Sequence, residues 1–179
     1  MTLPRVELDP VLPHEVDAFC SSLQESFNDI FRKKFGDSGE DVISVEEIME
    51  SIKGEGAETL HIVHQGQRIG GAVVRIDKTT QENTLDLIFI SPTNHGRGIG
   101  SAAWQAIEAR YPATKKWSLV TPCFEKRNIH FYVNKCGFHI VEYYNEFNPD
   151  PNRPAQEPSK CGAPDELSDE MFRFEKIMV

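Results

Sequence analysis

"TLDLIFISPTNHGRGIGSAAWQAI", residues 84–107, joins an apolar run to a helical pattern through a turn that contains three glycines. Gly96, Gly98 and Gly100 stand at alternate positions, where glycine is costly because it loses the most conformational freedom on folding. Such a turn is favoured where the backbone must bend tightly and approach a ligand closely. Because this turn leads into a helix, its N–H groups and the helix dipole favour a phosphate or pyrophosphate.

Several known phosphate-binding turns can be compared with this one. A P-loop requires a lysine after its last glycine, and Ser101 follows Gly100 here. The dinucleotide-binding fingerprint GxGxx[GA] matches residues 98–103, but the next strand, SLVTP, lacks the acid that would hold a ribose. A turn that only begins a helix is the purely structural alternative.

The hydrophobic pattern around this stretch predicts alternating runs of strands and helices. Helices are predicted at residues 14–36, 44–54, 98–112 and 126–137. Strands are predicted at residues 5–11, twice within 59–78 about a Gln65-Gly66 turn, and at 84–92, 116–123, 138–147 and 171–179. Adjacent strands favour antiparallel pairing and strand–helix–strand units favour parallel pairing, so we predict an α/β (α+β) fold with a mixed sheet and helices on both faces.

The chain length fits one domain, which we predict to span residues 1–179. Within it, residues 148–170 are rich in proline and acids and lack periodicity, which predicts an irregular loop before the last strand. This loop could cover the substrate site or reach a neighbouring subunit, so a homodimer is left open.

The composition limits the partners that are expected. The chain has 19 Lys and Arg against 28 Asp and Glu, a net charge of −9, which disfavours nucleic acid and mildly favours a cationic substrate. The four cysteines lack zinc-site spacing and are interpreted as reduced thiols. Neither a membrane-spanning run nor a signal peptide is evident, so we predict a cytoplasmic protein without a membrane partner.

The strand LDLIFISP, the turn HGRGIGSAAW and the later segment NIHFYVNKCGF together resemble the GNAT superfamily of N-acetyltransferases. Residues 95–100 match the family signature [QR]xxGx[GA], with His95 where Gln or Arg is usual, and residues 131–138 match its second motif. The asparagine that often lies seven residues before the tyrosine is absent, and Asn128 lies only four before it. The resemblance covers about residues 5–147 and the last strand, and it implies a mostly antiparallel sheet.

This resemblance implies that acetyl-coenzyme A (acetyl-CoA) is the cosubstrate. The amides of the glycine turn would hold its pyrophosphate, and the main chain of the fourth strand would bond its pantetheine arm like an added strand. The fourth and fifth strands would splay apart to admit thioester and amine. The cofactor-binding residues implied are Ile88, Phe89, Ile90, His95, Gly96, Arg97, Gly98, Ile99, Gly100, Ser101 and Asn128.

Direct transfer to an amine requires two proton transfers. Tyr132 matches the family's general acid at the leaving sulfur, and Asp86 is our candidate for the general base. Period two would place Asp86 on the same strand face as Glu82, Thr84, Ile88 and Ile90. His61, His64 and Glu125 are weaker alternatives for the base, and a nucleophilic Cys136 is disfavoured because no paired base is visible.

The sequence therefore predicts an N-acetyltransferase that acts on a primary amine of a small molecule or a protein. A non-catalytic acyl-CoA-binding regulator is the main alternative, and a Rossmann-type oxidoreductase is the weaker one. The acceptor pocket is expected from the first two helices, the loop near residues 36–44 and the edge of the fifth strand. None of these carries a transferable motif.

Overall fold

The structure, a computed structural model, describes residues 2–37, 39–152 and 170–179. Most of the loop predicted at residues 148–170, including Cys161, lies outside the described residues. The strands are β1 (Glu7–Pro10), β2 (Ala57–His64), β3 (Gln67–Arg75), β4 (Glu82–Ile90), β5 (Lys116–Pro122), β6 (His139–Tyr144) and β7 (Met171–Ile177). The α-helices are α1 (Val16–Phe35), α2 (Val45–Lys53), α3 (Ile99–Arg110) and α4 (Lys126–His130). Short 3₁₀ turns at Pro13–Glu15 and Pro92–Asn94 precede α1 and the glycine turn.

The described strands form one seven-stranded sheet in the order β1-β2-β3-β4-β5-β7-β6. All neighbouring strands are antiparallel except β4 and β5, which are parallel. This confirms the predicted mixed, mostly antiparallel sheet. A dinucleotide-binding fold of the Rossmann type requires a mostly parallel sheet, so the single parallel pair contradicts that alternative.

The parallel strands β4 and β5 pair only at their beginnings. Residues 82–84 of β4 pair with residues 116–118 of β5, and the hydroxyls of Thr84 and Ser118 lie 3.3 Å apart at the last pair. Beyond this point β5 stays paired with β7 along its whole length, while β4 stays with β3 as far as Ile90. Each strand follows its other neighbour, and a wedge opens between them.

Helices cover both faces of the sheet, as predicted. On one face, α1 and α2 bury Phe19, Leu23 and Ile48 against Val73 and Phe89. On the other face, α3 and the segment after α4 pack in a second cluster, which contains Trp104, Trp117, Tyr132, Phe138 and Phe174. The two faces therefore have separate cores. Of the two strands that border the wedge, β4 contributes to both cores and β5 contributes to the one on the α3 side.

A β-bulge at Asp86 changes which residues of β4 share a face. Val73 of β3 pairs with Leu87 and Val74 pairs with Leu85, so Asp86 is the extra residue. Leu85 and Ile88 pack on the α3 side, whereas Leu87 and Phe89 pack on the α1 side. The predicted period-two face is therefore wrong beyond Asp86, because the bulge shifts the alternation by one residue. Asp86 does not share a face with Ile88 and Ile90.

Local signals in the sequence account for several element ends. Gly36 ends α1 with a φ of 85°, and Ser44 accepts a hydrogen bond from the Glu47 amide in the predicted capping box of α2. Gln65 and Gly66 both have positive φ, as a tight hairpin turn requires. Among the helices that the structure describes, none combines the length and apolar composition needed to cross a bilayer.

The helix predicted at residues 126–137 is shorter and changes its winding. The α-helical part ends at His130, and Phe131–Lys135 form a π-helical turn in which the Cys136 amide donates to the Phe131 carbonyl. Such turns are rare in proteins, and those that occur are often found at functional sites. This turn carries Tyr132, the predicted general acid.

Candidate active site

The wedge between β4 and β5 forms a cleft of about 500 Å³. Its walls come from the outer half of β4, the glycine turn, the end of β5, the beginning of α4 and the C-terminal half of α1. All predicted site residues except Arg97 line it: Asp86, Ile88, Phe89, Ile90, His95, Gly96, Gly98, Ile99, Gly100, Ser101, Asn128 and Tyr132. Arg97 is exposed within the glycine turn and does not line the cleft.

The glycine turn presents a row of main-chain N–H groups to the cleft. The turn can form because Gly96 and Gly98 have φ angles of 82° and 73°, values that side chains disfavour. The first hydrogen bond of α3 runs from the Ala102 amide to the Gly98 carbonyl, at 3.0 Å. Among the described residues, the amides of residues 96–101 have no hydrogen-bond acceptor. They lie at the positive end of the helix dipole, so the turn favours an anion.

Close packing also favours glycine at two positions of this turn. A Cβ atom at Gly100 would lie 3.1 Å from the Phe131 ring, and one at Gly98 would lie 3.3 Å from the Leu3 side chain. Glycine therefore keeps the backbone free of side-chain atoms at these two positions. Unpartnered amides and the absence of Cβ atoms fit a bound diphosphate.

The outer half of β4 offers a second set of main-chain groups. The Ser91 amide donates to the Ile69 carbonyl at 2.7 Å, and polar groups alternate in direction along an antiparallel strand. Phe89 therefore bonds toward β3, while Ile88 and Ile90 direct their N–H and C=O groups toward the wedge. A His95 ring nitrogen lies 2.6 Å from the Ile90 carbonyl, which ties the glycine turn to the end of β4. Of the three residues of β4 that were predicted to bond the cosubstrate through their main chain, only Ile88 and Ile90 have main-chain groups that face the wedge.

Tyr132 is a buried side chain that reaches the cleft from the π-helical turn. Its ring packs against Phe131, Phe138 and Phe174, with centroids 5.3 to 5.9 Å apart. Burial raises the pKa of Tyr132 well above its ordinary value, so the hydroxyl stays protonated at neutral pH. No described residue forms a hydrogen bond with this hydroxyl, and it is available as a proton donor.

Asp86 is held at the bulge by Arg75. The Arg75 guanidinium donates to the Asp86 carboxylate at 2.7 Å, and the Asp86 side chain is 14% exposed. Burial raises the pKa of Asp86 and outweighs the opposing effect of the Arg75 charge. The bulge directs this carboxylate into the cleft, and burial makes it a stronger base than a solvated aspartate.

The alternative catalytic residues differ in position. His61 contacts Glu15 at 3.3 Å and His64 contacts the Arg5 carbonyl at 2.7 Å, and neither lines the cleft. Cys136 also lies outside the cleft lining, and burial raises the pKa of its thiol to about 12. Of these four candidates, only Glu125 lines the cleft.

The half of the cleft away from the glycine turn, predicted from the sequence as the acceptor half, is lined by residues that the sequence analysis did not assign to a site. Phe27, Ile30 and Phe31 of α1 face it, together with Ile43 and Phe124. The aromatic and aliphatic residues of α1 have helical spacing, which is typical of a buried helix face. The pattern cannot separate core positions from cleft positions, because both are apolar.

Comparison with known proteins identifies the family to which this fold and cleft belong. Residues 20–138 match the acetyltransferase (GNAT) family model. The uncharacterized protein YrkN of Bacillus subtilis (strain 168) is 48% identical over 178 residues, covering 98% of this chain and 95% of YrkN.

Two solved structures show the same fold at low sequence identity. The ribosomal-protein-S18-alanine N-acetyltransferase of Escherichia coli has a TM-score of 0.69 and 13% identity, covering 97% of this chain and 96% of that one. The spermidine N-acetyltransferase of Vibrio cholerae, in complex with CoA and spermine, has a TM-score of 0.65 and 13% identity, covering 97% and 95%. The chain therefore belongs to the acetyltransferase (GNAT) family: it is an acyltransferase, and acetyl-CoA is its cosubstrate.

Proposed function

We propose that the protein is an N-acetyltransferase that moves the acetyl group of acetyl-CoA directly to a primary amine. One observation carries the proposal: a single cleft is lined by Gly96 and residues 98–101 of the turn with unpartnered amides, by the buried Tyr132 and by the largely buried carboxylate of Asp86. These are the groups that binding a diphosphate and moving two protons require.

Main-chain groups hold the cosubstrate in this proposal. The amides from Gly96 to Ser101 bond the pyrophosphate, and Ile88 and Ile90 bond the pantetheine arm as a neighbouring strand would. His95 fixes the end of β4 through the Ile90 carbonyl, and Asn128 lines the same region. The bound cosubstrate supplies the thioester.

Asp86 accepts the proton of the amine in this proposal. An amine with a pKa near 10 is about three decades short of being neutral at pH 7, so a base is required. Asp86 acts directly or through a water molecule, and the Arg75 guanidinium keeps its carboxylate oriented. A main-chain N–H in the unpaired part of β4 stabilises the negative charge that develops on the acetyl oxygen.

Tyr132 supplies a proton to the leaving sulfur. Its raised pKa keeps the phenol protonated, and the aromatic packing around the ring fixes its position. A nucleophilic cysteine is not needed, and Cys136 does not line the cleft.

A thermal-shift experiment tests the cosubstrate site. The protein is heated with acetyl-CoA, CoA or NAD⁺ at matched concentrations. A ligand at 100 times its Kd stabilises the folded state by about 2.7 kcal/mol. We expect stabilisation by acetyl-CoA and CoA, and preferential stabilisation by NAD⁺ would contradict the assignment.

Release of free CoA thiol tests transfer. The rate is measured with acetyl-CoA alone and with a panel of primary amines, and the products are identified by mass. We expect some amines to raise the rate above background hydrolysis and to gain an acetyl group. If CoA binds and no amine is acetylated, the protein is an acyl-CoA-binding regulator instead.

A further inference from the structure

The acceptor half of the cleft has an apolar wall, built from two segments of the chain: residues 27–43 and the loop after β5. Phe27 and Phe31 come from α1, Ile43 from the loop before α2, and Phe124 from the loop after β5. Phe27 and Ile43 pack on the α1 side of the sheet, the face that also carries Leu87 and Phe89. The wall therefore lies on the opposite side of the wedge from α3 and the glycine turn.

Specific contacts hold the two parts of this wall together. Lys34 donates to the Phe124 carbonyl at 2.8 Å, and the Phe35 and Phe124 rings meet edge to face at 5.9 Å. Phe31 in turn lies against Phe35, with centroids 4.9 Å apart. The wall is thus preformed, which lowers the entropic cost of binding a rigid apolar group.

The charges that line the cleft itself do not suit a polycation; the acids Asp37, Glu40 and Asp41 line an adjoining pocket that shares Phe31 and Val42 with the cleft. Two carboxylates line the described part of the cleft, those of Asp86 and Glu125, and Arg75 already neutralises Asp86. Arg127 lines the cleft as well and adds a positive charge. A polyamine with three or four charges would lose its hydration without enough carboxylates to replace it. A single amino group requires only one base.

From this wall and its charges we infer that the acceptor is a monoamine whose amino group is joined to an apolar, preferably aromatic, body. The body contacts Phe31, Phe124 and Ile43, and the amino group faces Asp86. The inference deepens the proposed function and rests on it, because the same cleft must transfer the acetyl group. The net charge of −9 does not describe the charge of the cleft, because most of the Asp and Glu residues lie outside the cleft lining.

An acceptor panel tests the inference through thiol release at saturating acetyl-CoA. The amines are 2-phenylethylamine, ethanolamine, spermidine and a tripeptide that begins with phenylalanine. We expect kcat/KM for 2-phenylethylamine to exceed that for ethanolamine and spermidine by about tenfold or more, the range that apolar contacts provide. A preference for the tripeptide over 2-phenylethylamine would support the same chemistry and identify its source as a peptide N-terminus. Equal or faster turnover of spermidine or ethanolamine would overturn the inference.

Two alanine variants, one in the apolar wall and one outside the cleft, test whether the wall causes the preference for an apolar amine. Phe124→Ala removes the ring but keeps the carbonyl that Lys34 contacts, so the loop remains tied to α1. We expect it to lower kcat/KM for 2-phenylethylamine about tenfold while ethanolamine turnover and the KM for acetyl-CoA change less than twofold. Phe147→Ala is the control, because Phe147 is 88% exposed and outside the cleft lining. Equal losses with both amines in Phe124→Ala would overturn the proposed contact.

A binding measurement separates this inference from the proposed function. The CoA-saturated protein is heated with 2-phenylethylamine or spermidine, without any transfer. A higher Tm with 2-phenylethylamine alone would support the apolar site even if no amine were acetylated, in which case only the transfer reaction fails. A higher Tm with spermidine alone, or no effect of 2-phenylethylamine, would overturn the inference.

Discussion

The two halves of the cleft are built in different ways. The half around the glycine turn offers main-chain groups to a ligand. Gly96, Gly98 and Gly100 have no side chains that could cover these groups. The acceptor half uses the side chains of residues such as Phe27, Phe31 and Phe124. A ligand held by backbone groups needs a fixed local geometry, and a ligand held by side chains needs only suitable shape and polarity. The first half can therefore be shared across a family, while in the proposed function the second half selects the acceptor.

Between the two halves, Tyr132 offers the test with the largest expected effect. In Tyr132→Phe the ring packing is retained, and no hydrogen bond to a described residue is lost. If the phenol donates a proton to the leaving sulfur, kcat falls by about 10²- to 10⁴-fold while both KM values change little. Steady-state thiol release measures this, with Tm as a check of folding. A fully active variant would show that Tyr132 is a packing residue.

Substitution of Asp86, which also lies between the two halves, tests the proposed general base. Asp86→Asn keeps the shape of the side chain and an oxygen for Arg75, but the amide cannot accept a proton. We expect kcat/KM at neutral pH to fall by about 10²-fold for a strongly basic amine, and by less for a weakly basic one that is already neutral. The matched control is Glu125→Gln, which changes the second cleft carboxylate. A larger loss in the control would assign the base to Glu125.

Gly100 tests the main-chain half alone. Gly100→Val places a Cβ atom against the Phe131 ring and fills space beside the amides. We expect the KM for acetyl-CoA to rise by about tenfold, or roughly 1.4 kcal/mol, with kcat for a saturating amine within a few-fold of the original. Gln105→Val, at an exposed position of the same helix, is the control. A variant that lowered kcat alone would place Gly100 outside the cosubstrate half.

Sequence patterns predicted the glycine turn and the start of the helix after it, because the determinants of both are local. Positive φ at Gly96 and Gly98 and the helix start at Ile99 follow from a few adjacent residues. The element order and the mixed sheet also followed from hydrophobic periodicity and from turn residues such as Gly36 and Gln65-Gly66. These signals act within one turn or one strand, and the fold uses them unchanged.

The remaining features depend on tertiary contacts that no local pattern encodes. The bulge at Asp86 arises from the pairing of β4 with β3, and period two therefore failed beyond it. The π-helical winding at Tyr132 did not follow from the helical pattern. Phe31 and Phe124 lie 93 positions apart in the chain, and only the fold brings them to one wall. For this reason the acceptor half was predicted only by region. The predictions of α1, the loop near residues 36–44 and the edge of β5 agree with the cleft lining, and the prediction of the second helix was wrong, because no residue of α2 lines the cleft.

Arg75 gives the smallest and most specific test of how the two halves meet. Its guanidinium favours the charged form of Asp86, and it packs so closely on the end of α2 that a Cβ atom at Gly54 would lie 2.8 Å from it. In Arg75→Met this positive charge is lost, the pKa of Asp86 rises further, and the carboxylate is protonated at a higher pH. The acidic limb of kcat/KM for a weakly basic amine should therefore move to higher pH, by about one unit or less for a partly exposed pair. Arg75→Lys keeps the charge and should move the limb less. Because loss of packing alone would lower the rate without moving the limb, an unmoved limb in Arg75→Met would show that Asp86 is not the group whose titration controls transfer.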